Sequence, residues 1–235
     1  MESTRPEARE AREAFRAQLS AAIPRWYSPW GHLAFPSLCA ISVMIAMVAL
    51  LRDLRPVELL TVPLVYLVSN AVEWRLHKMV LHRRFPLLGE LYDRHTPQHH
   101  RIFVTDDMEI RSSREFRLVL IPAWGVAGIV LMDTPFALAL AHFGYRNIAA
   151  LFLATSAFYV VSYEWLHLAY HLPKTSAVGR LGIVQALKRH HATHHDPALM
   201  QKWNFNVTVP LWDLVRGTIY KGKKGDSARE SGRGA

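Results

Sequence analysis

Long apolar runs alternate with strongly polar segments along this chain. Residues 35–51 (FPSLCAISVMIAMVALL) carry no charge. As a helix rising about 1.5 Å per residue they cover roughly 26 Å, near the ~30 Å of a bilayer's hydrocarbon core. Trp26, Tyr27 and Trp30 precede them, at the depth where aromatic belts sit. After the short link RDLRP, residues 57–72 form a second run, and the two predict a helical hairpin. Residues 118–141 form a third run, interrupted by Asp133-Thr134-Pro135, and residues 148–166 a fourth. The interruption leaves the turn between these two open. The pattern predicts an all-α, polytopic membrane protein with about four transmembrane helices.

The polar segments differ in kind. Residues 1–22 mix Arg and Glu with Ala, which predicts a solvated helix, with a membrane-surface helix as the alternative. Residues 73–117 are basic and rich in histidine, and the chain turns polar again after His171. The final stretch, KGKKGDSARESGRGA, predicts a disordered basic tail. The division is therefore a segment 1–33, a membrane domain 34–220 and a tail 221–235. Most Lys and Arg fall in 75–117 and 172–224. The positive-inside rule then places both termini and both large polar segments in the cytoplasm. The first 30 residues have no apolar stretch of signal-peptide type.

Composition narrows the partners. The chain has 235 residues, is 51% hydrophobic and carries a formal charge of +9. A basic balance fits nucleic acid or an anionic membrane surface; the apolar runs favour the membrane, and no nucleic-acid partner is expected. The single cysteine, Cys39, rules out an internal disulfide and a thiolate-held metal cluster. The Ala content, and Arg in excess of Lys, point to a bacterial inner membrane rather than the endoplasmic reticulum.

Of 13 histidines, 11 fall in four clusters: His77 and His82; His95, His99 and His100; His167 and His171; and His190, His191, His194 and His195. Helix positions i, i+3 and i+4 share a face. His191, His194 and His195 are therefore expected to converge, as are His167 with His171 and His95 with His99. His77 and His82, five apart, suit a helix end or a bend. Two clusters stand where apolar runs leave the membrane, which a solvated basic face does not explain. His32 and His142 read as isolated packing or capping residues, and His190 as a surface residue or a support for the others.

Imidazole suits Zn, Cu, Fe and Ni, whereas Mg and Ca take oxygen. Ten histidines exceed one site. Two octahedral metals with five imidazoles each would leave one open position per metal for dioxygen or substrate. Structural zinc closes at four ligands and hydrolytic zinc at three plus water, so the count points to a binuclear redox centre, most plausibly iron. Glu164-x-x-His167 matches the Glu-x-x-His unit of soluble di-iron bundles, which need two such units; only one is present. Glu73 and Glu164 are expected to orient imidazole N–H groups. The chain has no His-Glu-x-x-His and no phosphate-binding glycine loop.

In order and spacing, His77-x4-His82, His95-x3-His99-His100, His167-x3-His171 and His191-x2-His194-His195 resemble the fatty acid hydroxylase and sterol desaturase superfamily of membrane di-metal oxidases. Asn204-Phe205-Asn206, Pro210-Leu211-Trp212-Asp213 and Gly217-Thr218 resemble that family's closing segment. The resemblance implies a fatty acid hydroxylase-like domain over 34–220: four transmembrane helices under a cytoplasmic, histidine-rich helical cap with two iron ions, zinc being a possible substitute. It implies dioxygen as co-substrate and a lipid C–H bond as target. It assigns His77, His82, His95, His99, His100, His167, His171, His191, His194 and His195 as metal ligands. His95 departs from the spacing of many relatives, which have two residues rather than three before the His-His pair. Asn206, Trp212 and Asp213 also read as packing and helix-capping residues.

Breaking an alkyl C–H bond needs an oxidant that side chains do not supply. The lipid is expected to enter between the apolar helices, near Trp124, Phe152, Phe158 and Tyr159, which equally read as helix packing. Electrons are expected from a separate ferredoxin, cytochrome or reductase, because no His-Pro-Gly-Gly haem signature is present. Arg83, Arg84, Arg111 and Arg114 are candidate contacts for it. Hydroxylation is the leading reaction. Desaturation or sterol oxidation on the same site, and a non-catalytic metal-binding or transport protein, are the alternatives.

Overall fold

The computed structural model describes residues 6–222, so the predicted tail beyond Gly222 lies outside the described residues. Seven helices carry the architecture: α1 (Pro6–Ala21), α2 (Pro29–Ala49), α3 (Thr61–Leu76), α4 (Ala123–His142), α5 (Arg146–His171), α6 (Gly182–His194) and α7 (Leu211–Arg216). Among the described residues there is no strand, only one isolated bridge between Val104 and Asp107.

Four helical stretches are long and apolar enough to cross a membrane: α2, residues 56–81 containing α3, α4 and α5. Their exposed faces are oily, with Leu38, Ile45, Leu64, Leu131 and Phe136 all more than half exposed. Such a surface is stable only against lipid or a partner. The expected hairpin of the first two runs is replaced by a different arrangement. α2, α3 and α4 each pack against α5, which forms the axis of the bundle. Over half of α5's apolar stretch is buried, against about a fifth for α2 and for residues 56–81. With 26 residues, α5 is about 39 Å long, so its last turns stand clear of a ~30 Å hydrocarbon core.

The predicted break at Asp133-Thr134-Pro135 does not occur, and α4 runs through it. The Thr134 hydroxyl donates to the Val130 carbonyl, and Ser156 of α5 donates to the Asp133 carboxylate. These bonds satisfy the polar groups of the segment inside the bundle, so it needs no loop. The chain turns instead at Phe143–Tyr145, where Gly144 has φ +87°.

The polar segments gather at one end of the bundle, where α3 and α5 finish and α2 and α4 begin. Ile102 and Phe103, fully buried, centre a cluster with Met108, Phe116, Leu120 and Leu168. Here α1 departs from the solvated helix expected. Its Phe15 and Leu19 pack on that cluster, and Arg12 and Arg16 are buried. The Arg16 guanidinium donates to both Glu115 carboxylate oxygens, at 2.9 and 2.6 Å, and to the Glu109 carbonyl at 2.7 Å. Arg111 reaches Glu13 and Asp107, and Arg114 reaches the carbonyls of Ile23 and Pro24. These two arginines, expected to face an electron donor, instead fasten residues 103–118 to the N-terminal segment.

Removing one partner of a buried ion pair leaves the other charge uncompensated, so Arg16→Ala is expected to cost about 3–5 kcal/mol. Arg16→Met with Glu115→Leu is expected to recover most of it, because the apolar pair leaves no buried charge. Thermal unfolding of both variants in the same detergent checks this; equal losses would show that the charge pairing is not the source.

Candidate metal centre

The histidines reach their positions through two distorted helical turns. His77–Leu81 and His95–His99 are π-helical, with hydrogen bonds spanning five residues instead of four. The His82 amide bonds the His77 carbonyl at 3.2 Å, and the His100 amide bonds the His95 carbonyl. Residues five apart, which an α-helix would set about 140° apart, thereby come to one face. In the second turn Pro97 supplies a cause: it lacks an N–H and its ring crowds the carbonyl four residues back.

The result is two groups. His77, His82, His95, His100 and His194 form one; His99, His167, His171, His191 and His195 form the other, with ligand atoms in each within 4.8 Å of one another. All ten are at most 7% exposed. The groups share a wall: the His100 ring stacks on His195 at 4.2 Å between centroids, and His95 on His99 at 5.3 Å. Two expected pairings change. His95 lies with His100 rather than His99, and His194 parts from His191 and His195, so each polar cluster serves both groups.

Hydrogen bonds fix the tautomers. A carbonyl can only accept, so the ring nitrogen facing one must carry the proton. The Nδ1–H of His99 donates to Leu118 at 2.8 Å, of His171 to Met108 at 2.7 Å, of His194 to Trp203 at 2.9 Å and of His195 to Phe103 at 2.7 Å; His77 donates to Phe205. Thr96 uses its own hydrogen on the Leu81 carbonyl at 2.7 Å, so its oxygen accepts from His82 Nδ1 at 3.0 Å. The Nε2 atoms of these rings therefore present bare lone pairs. Yet His82 Nε2 stands 2.9 Å from His194 Nε2 and 3.2 Å from His77 Nε2. With no proton between them, such lone pairs repel unless a cation sits among them. In the second group the Nε2 of His171 is buried with no hydrogen-bond partner.

A metal fits both groups. Nitrogens bound at right angles about 2.1 Å from a metal lie about 3.0 Å apart, whereas a tetrahedral pair lies about 3.4 Å apart. Contacts of 2.9 to 3.3 Å recur throughout: His77–His95 at 3.0, His95–His100 at 3.1, His191–His195 at 3.0 and His99–His167 at 3.3 Å. Right-angled geometry is the better match to five donors. Burial also holds the imidazoles outside the membrane-crossing helices, among them His82, His95, His100, His191, His194 and His195, below their usual range, with His99 lowered to about 4. All are neutral near pH 7, the form that binds a metal.

Around the rings lies a layer of backbone rather than carboxylates. Segment 103–118 supplies three of the accepting carbonyls and segment 203–205 two more. Asp213 braces the second segment. Its carboxylate accepts from the amides of Phe205 and Asn206, from Trp74 Nε1 and Thr218 Oγ1, and from His190 at 3.0 Å. Burial alone would raise its carboxyl; the hydrogen bonds from His190, Thr218 and the two amides hold it below the usual range. His190 thus supports the loop that supports the site. Asn206 bonds the Asp213 amide and the Asn70 carbonyl, a packing role.

Glu73 and Glu164 do not orient imidazoles as expected. Glu73 accepts from the amides of Val207 and Thr208 and from the Thr208 and Tyr159 hydroxyls. Glu164 accepts from the Ile121 amide at 3.3 Å. Each takes part in holding an adjacent loop. Tyr159 is buried in the Glu73 network, while Trp124 and Phe158 are about half exposed on the outer surface. Sequence reasoning missed the carbonyl layer and Asn70, a fully buried amide tied to Tyr159, Thr208 and Val209. An Asn inside the apolar run LVSNAV was its signal.

Fold and site together define an integral-membrane protein that gathers two five-histidine groups, each able to hold a metal, at one end of a helical bundle. The family model for fatty acid hydroxylase matches residues 62–218, more than half of the chain and a range that contains all eleven clustered histidines. The chain belongs to the fatty acid hydroxylase family, and its activity is that of a membrane oxidoreductase of the lipid hydroxylase and desaturase type. Comparison with curated proteins and with solved structures gave no match.

His82→Ala is expected to empty one group and His171→Ala the other. Elemental analysis of purified protein is expected to find two metals per chain in the wild type and one in each variant. Loss of both metals in either variant, with the fold intact, would show that the groups are not independent sites.

Proposed function

We propose that the chain is a di-iron lipid hydroxylase and that the ten histidines are its metal ligands. The observation that carries this reading is the facing of unprotonated Nε2 atoms at 2.9 to 3.2 Å among His77, His82 and His194. Five neutral nitrogens per site and no carboxylate suit a redox metal with an open position. Iron, when bound, supplies the activation of dioxygen that an unactivated C–H bond demands.

The residues do the rest. Carbonyls of Phe103, Met108, Leu118, Trp203 and Phe205, with Thr96, hold each ring's protonated edge outward and its lone pair inward. Ile102, Phe103 and Phe205, fully buried, exclude water from the rings. The lipid reaches the site from the bilayer between the apolar helices. One oxygen atom of dioxygen enters the C–H bond. The other leaves as water, with two protons and two electrons. The electrons come from a separate ferredoxin, cytochrome or reductase on the basic outer face, where Arg83 and Arg84 are exposed. That face is cytoplasmic by the positive-inside rule, with both termini on it and a bacterial inner membrane as the setting.

The test compares total lipids from one host that carries a donor system and expresses either the wild type or His194→Ala/His195→Ala, which removes one ring from each group. A species heavier by about 16 mass units, present with the wild type alone, is the expected result, because one oxygen atom is inserted. A species lighter by about 2 mass units would reassign the site to desaturation, in which two hydrogens leave and no oxygen stays. Identical profiles from metal-loaded, reduced protein across acyl lipids and sterols would overturn the reading.

A further inference from the structure

A second lipid-facing feature lies on the outer side of the bundle, away from the histidines. A groove of about 480 Å³ runs between α3 and α7. Leu67, Val68, Ala71 and Val72, on successive turns of α3, make its wall. This strip ends at Arg75, about 12 Å along the helix from Leu67. Trp212 and Arg216 of α7 close the other side. Leu214 and Val215 of the same short helix are 69% and 63% exposed, so α7 presents an oily edge at the membrane surface.

Charge is placed at one end only. Arg75 and Arg216 are exposed, and neither has a carboxylate partner among the described residues. Arg216 lies over the Trp74 ring at 5.4 Å and Lys78 over the same ring at 4.8 Å. Two cations thus flank one indole, and Arg75 lines the same end of the apolar trough. Tryptophan and arginine together are the usual furniture of the headgroup level. The volume falls in the range of small-molecule sites.

We propose that this groove binds an anionic phospholipid, its phosphate between Arg75 and Arg216 and an acyl chain along Leu67 to Val72. The occupant is distinct from the lipid to be oxidised. Trp74 floors the groove, fixed by bonds to Asp213 at 3.1 Å and Thr218 at 3.0 Å. Behind it Phe205 packs on Trp74 at 5.5 Å and on His194 at 5.7 Å. Two aromatic rings therefore separate the trough from the histidines. The inference needs only that the chain spans a membrane, and it stands apart from the identity of the metal and the reaction.

Purified full-length protein is titrated with phospholipid carrying brominated acyl chains, which quench nearby tryptophan fluorescence, using phosphatidylglycerol and phosphatidylcholine in parallel. Each arginine near an anionic headgroup is expected to contribute about fivefold, so phosphatidylglycerol half-saturates at roughly 25-fold lower concentration. Arg75→Ala/Arg216→Ala is expected to abolish the preference, Arg75→Lys/Arg216→Lys to keep most of it, and Trp212→Phe to reduce the quenchable fraction. Inorganic phosphate is expected not to compete. Equal half-saturation by the two lipids in the wild type, a preference that survives the double alanine change, or competition by inorganic phosphate at equal concentration would each overturn the proposal. If the alanine variant fails to fold, the wild-type comparison and the lysine variant decide it alone.

Discussion

The structure rests on one electrostatic constraint: imidazole lone pairs that face each other at about 3 Å with no proton to share. His77, His82 and His194 have their other nitrogen committed to a carbonyl or to Thr96, so none can relieve the repulsion by changing tautomer without leaving a buried N–H or carbonyl unpaired. Protonation is opposed by burial. The arrangement is therefore costly as bare protein and favourable around a cation, and much of the surrounding fold serves to keep the rings from turning away.

Labour is divided between the membrane bundle and the layer above it. α5 delivers His167 and His171 at its end, and α3 delivers His77 where it unwinds into a π turn. The outer segments contribute rings in alternation to the two groups and carbonyls to both. Buried charges then lock those segments. Arg16 of α1 grips Glu115 in the loop that carries three carbonyls, and Asp213 grips the loop that carries the other two. A charge far from the rings in sequence thus controls their orientation through backbone, where no side-chain pattern betrays it.

This explains what the sequence reveals and what it hides. Four crossings were legible because spans near 20 apolar residues have few other uses. The ten buried histidines were legible because their spacing repeats and two clusters stand at membrane exits. The partition into fives was not, since i, i+4 logic pairs His95 with His99 and only a π turn reverses that. Glu73 and Glu164 attracted the wrong role because a carboxylate near a histidine is the familiar orienting partner; here carbonyls fill it. The Asp133-Thr134-Pro135 break misled because satisfaction of its polar groups by Ser156 and Val130 is tertiary or backbone information. Arg16 looked solvated for the same reason: its partner lies 99 residues away.

The most direct test of the central claim is anomalous diffraction at the iron edge from crystals of iron-loaded protein. The account predicts two peaks per chain, each surrounded by five imidazole nitrogens at about 2.1 Å, split as His77, His82, His95, His100 and His194 against His99, His167, His171, His191 and His195. A single peak, or a carboxylate oxygen of Glu73 or Glu164 within bonding distance of either metal, would contradict it.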